Sequence, residues 1–89
     1  AHCQLHKTCQ FIFCHHILYG EIFKLAFLES AYSIIVLHNH PSGEVTPSKE
    51  DIEVTTSLIK IGKLVGIPVL DHIIIGNCKY LSMLDEGIL

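Results

Sequence analysis

Two histidines, a serine and an aspartate lie close together in the middle of this 89-residue sequence, in the stretch HNHPSGEVTPSKED. One residue separates His38 from His40, so in an extended strand both imidazoles point to the same side. Asp51 follows in the first turn of a predicted helix, which brings its carboxylate back toward the strand end. Two nitrogens and one oxygen form the three-ligand set of a catalytic zinc ion, with a fourth position left for water. His-x-His alone at a strand end is more often incidental than a metal site, but its conjunction with the later Ser-x-x-Asp favours a zinc site made of His38, His40 and Asp51.

Ser48 lies three residues before Asp51 and has two interpretations. Its hydroxyl can donate a hydrogen bond to a water molecule or to a developing oxyanion at the site, which would make it catalytic. Ser-x-x-Asp is also a capping-box pattern, in which the serine caps the helix and the acid accepts from backbone donors. Taken alone the pair favours the cap, and the two roles are compatible.

The segments before the histidines predict a helix followed by a strand. EIFKLAFLES, beginning at Glu21, places apolar residues near one helical face with an acid in the first turn. YSIIVL is continuous and β-branched, which predicts a strand buried on both faces. The histidines then stand where this strand ends.

The segments after the histidines predict a second helix and a hairpin. Thr46-Pro47-Ser48 indicates a helix start, with Pro47 at the first helical position and Thr46 or Ser48 as the cap, and Gly66 suits its end. VLDHIII and KYLSM flank a short turn, as in a hairpin. The order helix, strand, helix, strand, strand predicts an α/β (α+β) domain with helices packed on a small mixed sheet.

The first part of the chain, residues 1–20, is rich in cysteine and histidine and receives no assignment, apart from a short strand around Gln10–Cys14. It contains four residues able to bind a second metal ion: Cys3, His6, Cys9 and Cys14. Their spacing matches no usual zinc module, which argues against that site. His72, in VLDHIII, alternates with apolar neighbours and is interpreted as a structural histidine at the edge of the core.

Composition limits the classes of function. Hydrophobic residues make up 49% of the chain, which predicts a packed core rather than disorder. The net charge is −3 and all six basic residues are lysine, so no electrostatic footprint for nucleic acid is evident. No apolar run approaches the roughly 20 residues of a bilayer span, and no signal-peptide layout is present. These features predict a cytoplasmic protein with reduced thiols, and they leave its oligomeric state open.

The residues His38-Asn39-His40-Pro41 and Ser48-x-x-Asp51 together resemble the JAMM motif of the JAB/MPN metalloprotease-like domains. The wider text, EIFKLAFLESAYSIIVLHNHPSGEVTPSKEDI with GIPVLDHIIIG and YLSMLDEGIL, looks like the RadC-like branch of that family. The resemblance covers residues 21–89, which are interpreted as the C-terminal part of such a domain, incomplete at its N-terminus.

The resemblance implies a cytidine-deaminase-like sandwich fold, zinc held by His38, His40 and Asp51, and assistance from Ser48 to a tetrahedral intermediate. Related branches cleave peptide or isopeptide bonds, which implies a peptide or protein substrate. The name of the RadC-like branch implies an association with DNA repair.

The family mechanism also uses an upstream glutamate as general base, and the sequence supplies no counterpart. Glu21 corresponds to the helix start just before the histidine strand, and its acidic charge at a helix N-terminus is explanation enough. Two hypotheses follow: a zinc-dependent hydrolase of the JAMM type, or a zinc-stabilised interaction module without turnover.

Overall fold

Four strands and two helices make up the described part of the protein. The computed structural model describes residues 8–14 and 19–89. The elements, in chain order, are β1 (Thr8–Cys14), α1 (Tyr19–Leu28), β2 (Ala31–Asn39), α2 (Lys49–Val65), β3 (Val69–Ile75) and β4 (Tyr80–Ser82). The predicted order from the first helix onward is confirmed, and β1, which includes the short strand suggested around Gln10–Cys14, precedes it.

The strands form one mixed sheet in the order β1-β2-β3-β4. Strands β1, β2 and β3 run parallel, and β4 pairs antiparallel with β3, as the predicted hairpin requires. This confirms an α+β fold with a small mixed sheet. The carboxyl ends of the three parallel strands meet at one edge of the sheet, where ligand sites of such folds are found. His38 pairs there with Cys14 of β1 and Ile74 of β3.

Both helices lie on the same face of the sheet. Residues of α1 and of α2 belong to one core cluster with Ile34 and Val36, which share a face of β2 because they are two residues apart, so both helices pack on that side. The shared core lies between the helices and the sheet. Its fully buried members include Ala26 of α1, Ile34 and Val36 of β2, and Leu58 of α2.

Strand β2 is the central element of this arrangement. Ser33, Ile34 and Val36 are buried, whereas Ile35 and Leu37 are only half-buried, so the strand is less enclosed than the predicted burial on both faces. Tyr32 differs, because its side chain is 67% exposed. The register between β1 and β2 shifts at this point, so that Tyr32 has no partner in the β1 pairing, and its exposure follows from that irregularity.

Helix α2 begins directly after Ser48 and ends at Gly66. Ser48 is the N-cap, with extended backbone angles, and it forms a complete capping box with Asp51. The prediction of Ser48 as a cap is confirmed, but Pro47 at the first helical position is wrong. Because Ser48 and Asp51 satisfy each other's backbone donors, Ser48 is the cap and the helix starts two residues after Pro47, at Lys49. Gly66 ends the helix in the left-handed conformation with φ 79°, as predicted.

Asp71 attaches the C-terminal turn to the sheet. Its Oδ1 accepts hydrogen bonds from the backbone amides of His72 (2.7 Å) and Leu84 (2.9 Å), and its Oδ2 accepts one from the hydroxyl of Ser82. The carboxylate is buried, with three donors around it. Asp71 therefore has a structural role, as a link between β3 and the residues that follow β4.

The loop after His40 packs closely against the turn that follows β3. The amide of His40 donates to the carbonyl of Ile75 (2.9 Å), and the amide of Asn77 donates to the carbonyl of Gly43 (3.0 Å). A Cβ atom on Gly76 would overlap the carbonyl oxygen of Gly43. Only glycine therefore permits this approach, which fixes the position of the chain just after His40.

No helix in residues 19–89 combines the length and the apolar character that a membrane span demands.

We expect Gly76→Ala to lower the free energy of unfolding by about 1–3 kcal/mol, because the added methyl group forces the two backbone segments apart. Gly20→Ala is the matched control: Gly20 lies in the first turn of α1 and a Cβ there meets no atom within 4 Å. The control should be unchanged, or stabilised by up to about 1 kcal/mol. Urea unfolding measures both variants, and equal effects would contradict the close packing at Gly76.

Candidate metal centre

Three side chains from two elements converge at the carboxyl end of β2. His38 is the second-last residue of the strand, His40 is the first residue after it, and Asp51 lies in the first turn of α2. One ligand atom from each lies within 4.8 Å of the other two. The structure thus brings together the three residues that the sequence predicted as metal ligands. Among the side chains that the structure describes, which do not include that of Cys14, no other group of three meets this distance.

The hydrogen bond at the far side of the His40 ring determines which nitrogen is available. Nδ1 of His40 lies 2.9 Å from the carbonyl oxygen of Glu44. A carbonyl oxygen only accepts, so Nδ1 carries the proton and, in the neutral ring, Nε2 presents a lone pair. This is the tautomer arrangement that histidine ligands of metals adopt.

Nε2 of His40 in turn lies 3.0 Å from Oδ2 of Asp51. In the neutral ring and the ionised acid both atoms are acceptors, so a proton or a metal cation must compensate their contact. On the other side, Nδ1 of His38 lies 3.5 Å from Oδ1 of Asp51. The carboxylate therefore faces both histidines, and this donor set fits a divalent cation with nitrogen and oxygen ligands.

The ring of His38 is enclosed by two other imidazoles. The ring of His40 meets it edge-on, with the centroids 5.0 Å apart and an interplanar angle of 88°. The ring of His72 packs at a tilt, with the centroids 5.7 Å apart. The side chains of His38 and His40 are 15% and 17% exposed, so they are held by packing while still open to solvent.

Asp51 serves the helix cap and the histidines at once. Oδ2 accepts from the Ser48 amide (2.8 Å), while the Asp51 amide donates to Oγ of Ser48 (3.0 Å). Burial raises the pKa of this carboxyl, but the hydrogen bonds of Ser48 and the charges of His40 and His38 outweigh it and hold the pKa below its usual 3.8. Asp51 is thus ionised at neutral pH, as a metal ligand must be.

Ser48 lies beside the cluster as the helix cap. Its oxygen is engaged by the Asp51 amide, which confirms the capping interpretation. An oxygen that accepts this bond still has its own hydroxyl proton to donate. The predicted catalytic role of Ser48 is compatible with this geometry and stays a prediction.

His72 lies deeper than predicted. The sequence placed it at the edge of the core, but its side chain is fully buried and its Nδ1 lies 2.5 Å from Oγ1 of Thr55. Burial, with the nearby His38, lowers the pKa of His72 to about 4. The imidazole is therefore neutral near pH 7. The sequence analysis missed Thr55, although its position four residues after Asp51 places it on the same face of α2.

A polar depression of about 320 Å³ borders the cluster at His40. The residues that line it come from the loop after β2 and the turn after β3: Asn39, His40, Pro41, Ser42, Gly43, Gly76 and Asn77. Its amide and backbone groups offer hydrogen bonds to a polar ligand next to His40.

The possible second ligand set near the N-terminus, against which its spacing argues, lies mostly outside the described residues. Cys3 and His6 lie outside them, and so does the side chain of Cys14, while Cys9 is an exposed free thiol. The structure therefore does not test that site. Glu21 lies in the first turn of α1, in agreement with its interpretation as a favourable helix-end charge, and it is not part of the His38 cluster.

A mixed α+β domain with a His-His-Asp cluster at the carboxyl edge of its parallel strands defines a class of candidate metalloproteins. Comparison with known families narrows this class. Residues 7–88 match the family described as the RadC-like JAB domain. The chain therefore belongs to this family. The match extends upstream of residue 21, where the sequence resemblance began, and includes β1.

Relatives of this chain occur in bacteria and archaea. It is 64% identical over 67 residues to a UPF0758 protein of Staphylococcus haemolyticus, covering 75% of this chain and 29% of the relative. A UPF0758 protein of Methanosarcina acetivorans is 60% identical with the same coverage, and one of Bacillus cereus is 60% identical over 75% of this chain and 30% of its own length. The chain thus spans about three tenths of the length of these relatives.

The metal-free protein should lose stability as the pH falls from 6.5 to about 4. In this window the unfolded chain protonates His72, whose usual pKa is 6.5, while the folded protein keeps it neutral because burial lowers its pKa to about 4. The loss is on the order of 3 kcal/mol at pH 4 relative to neutral pH. Below pH 3.8, protonation of Asp51 removes a further contribution, since its folded pKa is also lowered.

Urea unfolding of the metal-free chain at several pH values between 7.5 and 4 measures this dependence. A free energy of unfolding that stays constant over this window would contradict a buried neutral His72.

Proposed function

We propose that this chain carries the zinc centre of a JAMM-type metallohydrolase that acts on an amide bond of a peptide or protein substrate. One observation supports this most directly: His38, His40 and Asp51 converge at the open edge of the sheet, with two acceptor atoms of His40 and Asp51 facing each other at 3.0 Å. Only a proton or a cation stabilises that contact.

Zinc is the ion that best matches these donors. Two imidazole nitrogens and one carboxylate oxygen are the ligand type and number of catalytic zinc sites, whereas calcium and magnesium prefer oxygen ligands. When bound, zinc acts as a Lewis acid that polarises an amide carbonyl and lowers the pKa of a water molecule. His40 contributes its Nε2 because Glu44 holds the proton on Nδ1.

The neighbouring residues have separate tasks in this proposal. The polar depression beside His40 binds the substrate main chain through amide and backbone groups. Ser48 donates its hydroxyl proton to the oxyanion that develops on the amide carbonyl, while its oxygen still caps α2. The Asp51 carboxylate is held in a fixed orientation by the Ser48 amide. All of these groups lie around the carboxyl end of β2.

A general base completes a JAMM-type reaction, and the cluster of described residues contains no further carboxylate. Glu44, on the loop next to His40, is exposed and pairs with Lys79 at 3.3 Å. We propose that turnover requires a carboxylate from elsewhere in the protein, in the role of the family's upstream glutamate. The same observation supports the second candidate, a zinc-stabilised interaction module without turnover.

An association with DNA repair, which the family name implies, would operate through a protein partner or substrate in this proposal. The chain carries a net charge of −3 and no arginine, so it offers little attraction to a phosphate backbone. We also propose a cytoplasmic location, where the cysteine thiols of the chain stay reduced.

We expect the purified chain to hold about one zinc ion per molecule, and His38→Ala to lose it together with part of the unfolding free energy, because bound metal stabilises the folded state. Elemental analysis measures the ion, and amide and isopeptide substrates measure turnover. Within a full-length protein that supplies the general base, Ser48→Asn should keep the cap and the metal but lower turnover by about 10²–10³-fold.

These results separate the two candidates. Zinc without turnover, even in a full-length relative that supplies a base, would favour the interaction module. Equal zinc content in the parent chain and His38→Ala would contradict the metal centre itself.

A further inference from the structure

The buried pair Thr55 and His72 lies directly beneath the metal-ligand cluster, and nothing in the proposed chemistry uses it. We infer that this pair positions the ligands: it holds Asp51 through the backbone of α2 and His38 through ring packing, and thereby sets the affinity and geometry of the metal site. The inference rests on the proposed metal centre and adds two residues to it. Neither of them belongs to the ligand group.

The hydrogen bonds run in one direction, from β3 to the first turn of α2. The Thr55 hydroxyl lies 2.7 Å from the backbone carbonyl of Asp51, which can only accept, so the hydroxyl proton is directed there. The Thr55 oxygen then accepts the proton on Nδ1 of His72, at 2.5 Å. His72 thus holds Thr55, and Thr55 holds the peptide group of a metal ligand.

The His72 ring also supports a second ligand. It packs against the ring of His38 with a centroid separation of 5.7 Å. Val36 and His38 of β2 pair with His72 and Ile74 of β3, so the two imidazoles are on neighbouring strands and on the same face of the sheet. One buried side chain therefore contacts one ligand directly and reaches the other through Thr55.

A hydrophobic residue at position 72 would fill the core without any buried polar atom. Instead, Nε2 of His72 is buried and has no hydrogen-bond partner among the described residues. An unpaired buried acceptor weakens the fold. The imidazole offsets this cost through its hydrogen bond to Thr55 and its contact with His38. Both interactions connect it to metal ligands.

A comparison with Thr56 shows which contact is special to Thr55. A hydrogen bond from a threonine hydroxyl to a helix carbonyl is common to both residues, whereas only Thr55 also contacts His72. The Thr56 hydroxyl donates to the carbonyl of Ile52 at 2.8 Å, the same four-residue spacing as Thr55 to Asp51. Thr56 is exposed, whereas Thr55 is buried against β3. The two adjacent threonines form a matched pair for substitution, because only Thr55 contacts His72 and only Thr55 bonds to the carbonyl of a metal ligand.

The test compares Thr55→Val, Thr55→Ser and Thr56→Val with the parent chain. Valine keeps the shape of threonine without the hydroxyl, and serine keeps the hydroxyl. Each metal-free protein is titrated with Co²⁺ and with Zn²⁺ in competition with a chromogenic chelator, at a temperature where circular dichroism shows all four to be folded. The visible absorption of bound Co²⁺ reports the coordination geometry, and urea unfolding reports stability separately.

We expect Thr55→Val to bind both metals about 10–100-fold more weakly and to shift the Co²⁺ absorption spectrum, as loss of a residue that orients a ligand does. Thr55→Ser should restore parent affinity and spectrum, and Thr56→Val should match the parent. If Thr55→Val loses stability but keeps the parent's metal affinity and spectrum, the pair is only structural and the inference is wrong. If the parent binds neither metal, the proposed metal centre fails, and the positioning role fails with it.

Discussion

The carboxylate of Asp51 is the group on which the rest of the site depends. It accepts the amide of Ser48 at 2.8 Å and faces Nε2 of His40 at 3.0 Å with the same oxygen, while its other oxygen faces His38. A helix cap is a rigid, local structure, and here it fixes the one anionic ligand of the candidate centre. The start of α2 and the metal cluster therefore share the Asp51 carboxylate, and a shift of one displaces the other.

The fold positions these groups together because it brings the carboxyl ends of the parallel strands and the start of α2 to one edge of the sheet. Parallel strands β1, β2 and β3 end there, and the connection from β2 returns to the sheet as α2. Gly43 and Gly76 allow the intervening loop to pack on the turn after β3, so the chain leaves His40 along a fixed path. The burial of His72 beneath the cluster extends the same rigidity into the core.

Local patterns predicted much of this arrangement because they report short-range physics. His38 and His40 share a face since side chains alternate along a strand, and Ser48, Asp51 and Gly66 mark helix ends through bonds that span only a few residues. The cap also explains the error at Pro47, whose favourable φ is outweighed by the paired bonds of Ser48 and Asp51. The family resemblance indicated the joint role of these residues.

Contacts between segments that are distant in the sequence could not be predicted from local patterns. The depth of His72 depends on β3 packing beneath α2, and the role of Thr55 appears only when that helix face meets the histidine. In the sequence, the apolar neighbours of His72 indicate that it lies near the core, but they do not indicate which residue its imidazole bonds to. The Gly43 contact with Gly76 likewise joins residues that are 33 positions apart, and nothing near either glycine indicates the other.

The most direct test of the metal centre is zinc X-ray absorption spectroscopy on the chain loaded with one equivalent of zinc. Coordination by His38, His40 and Asp51 predicts only nitrogen and oxygen neighbours at about 2.0–2.2 Å, with the multiple-scattering pattern of imidazole. Zinc with sulfur neighbours at about 2.3 Å would place the ion on the chain's cysteines and contradict the account.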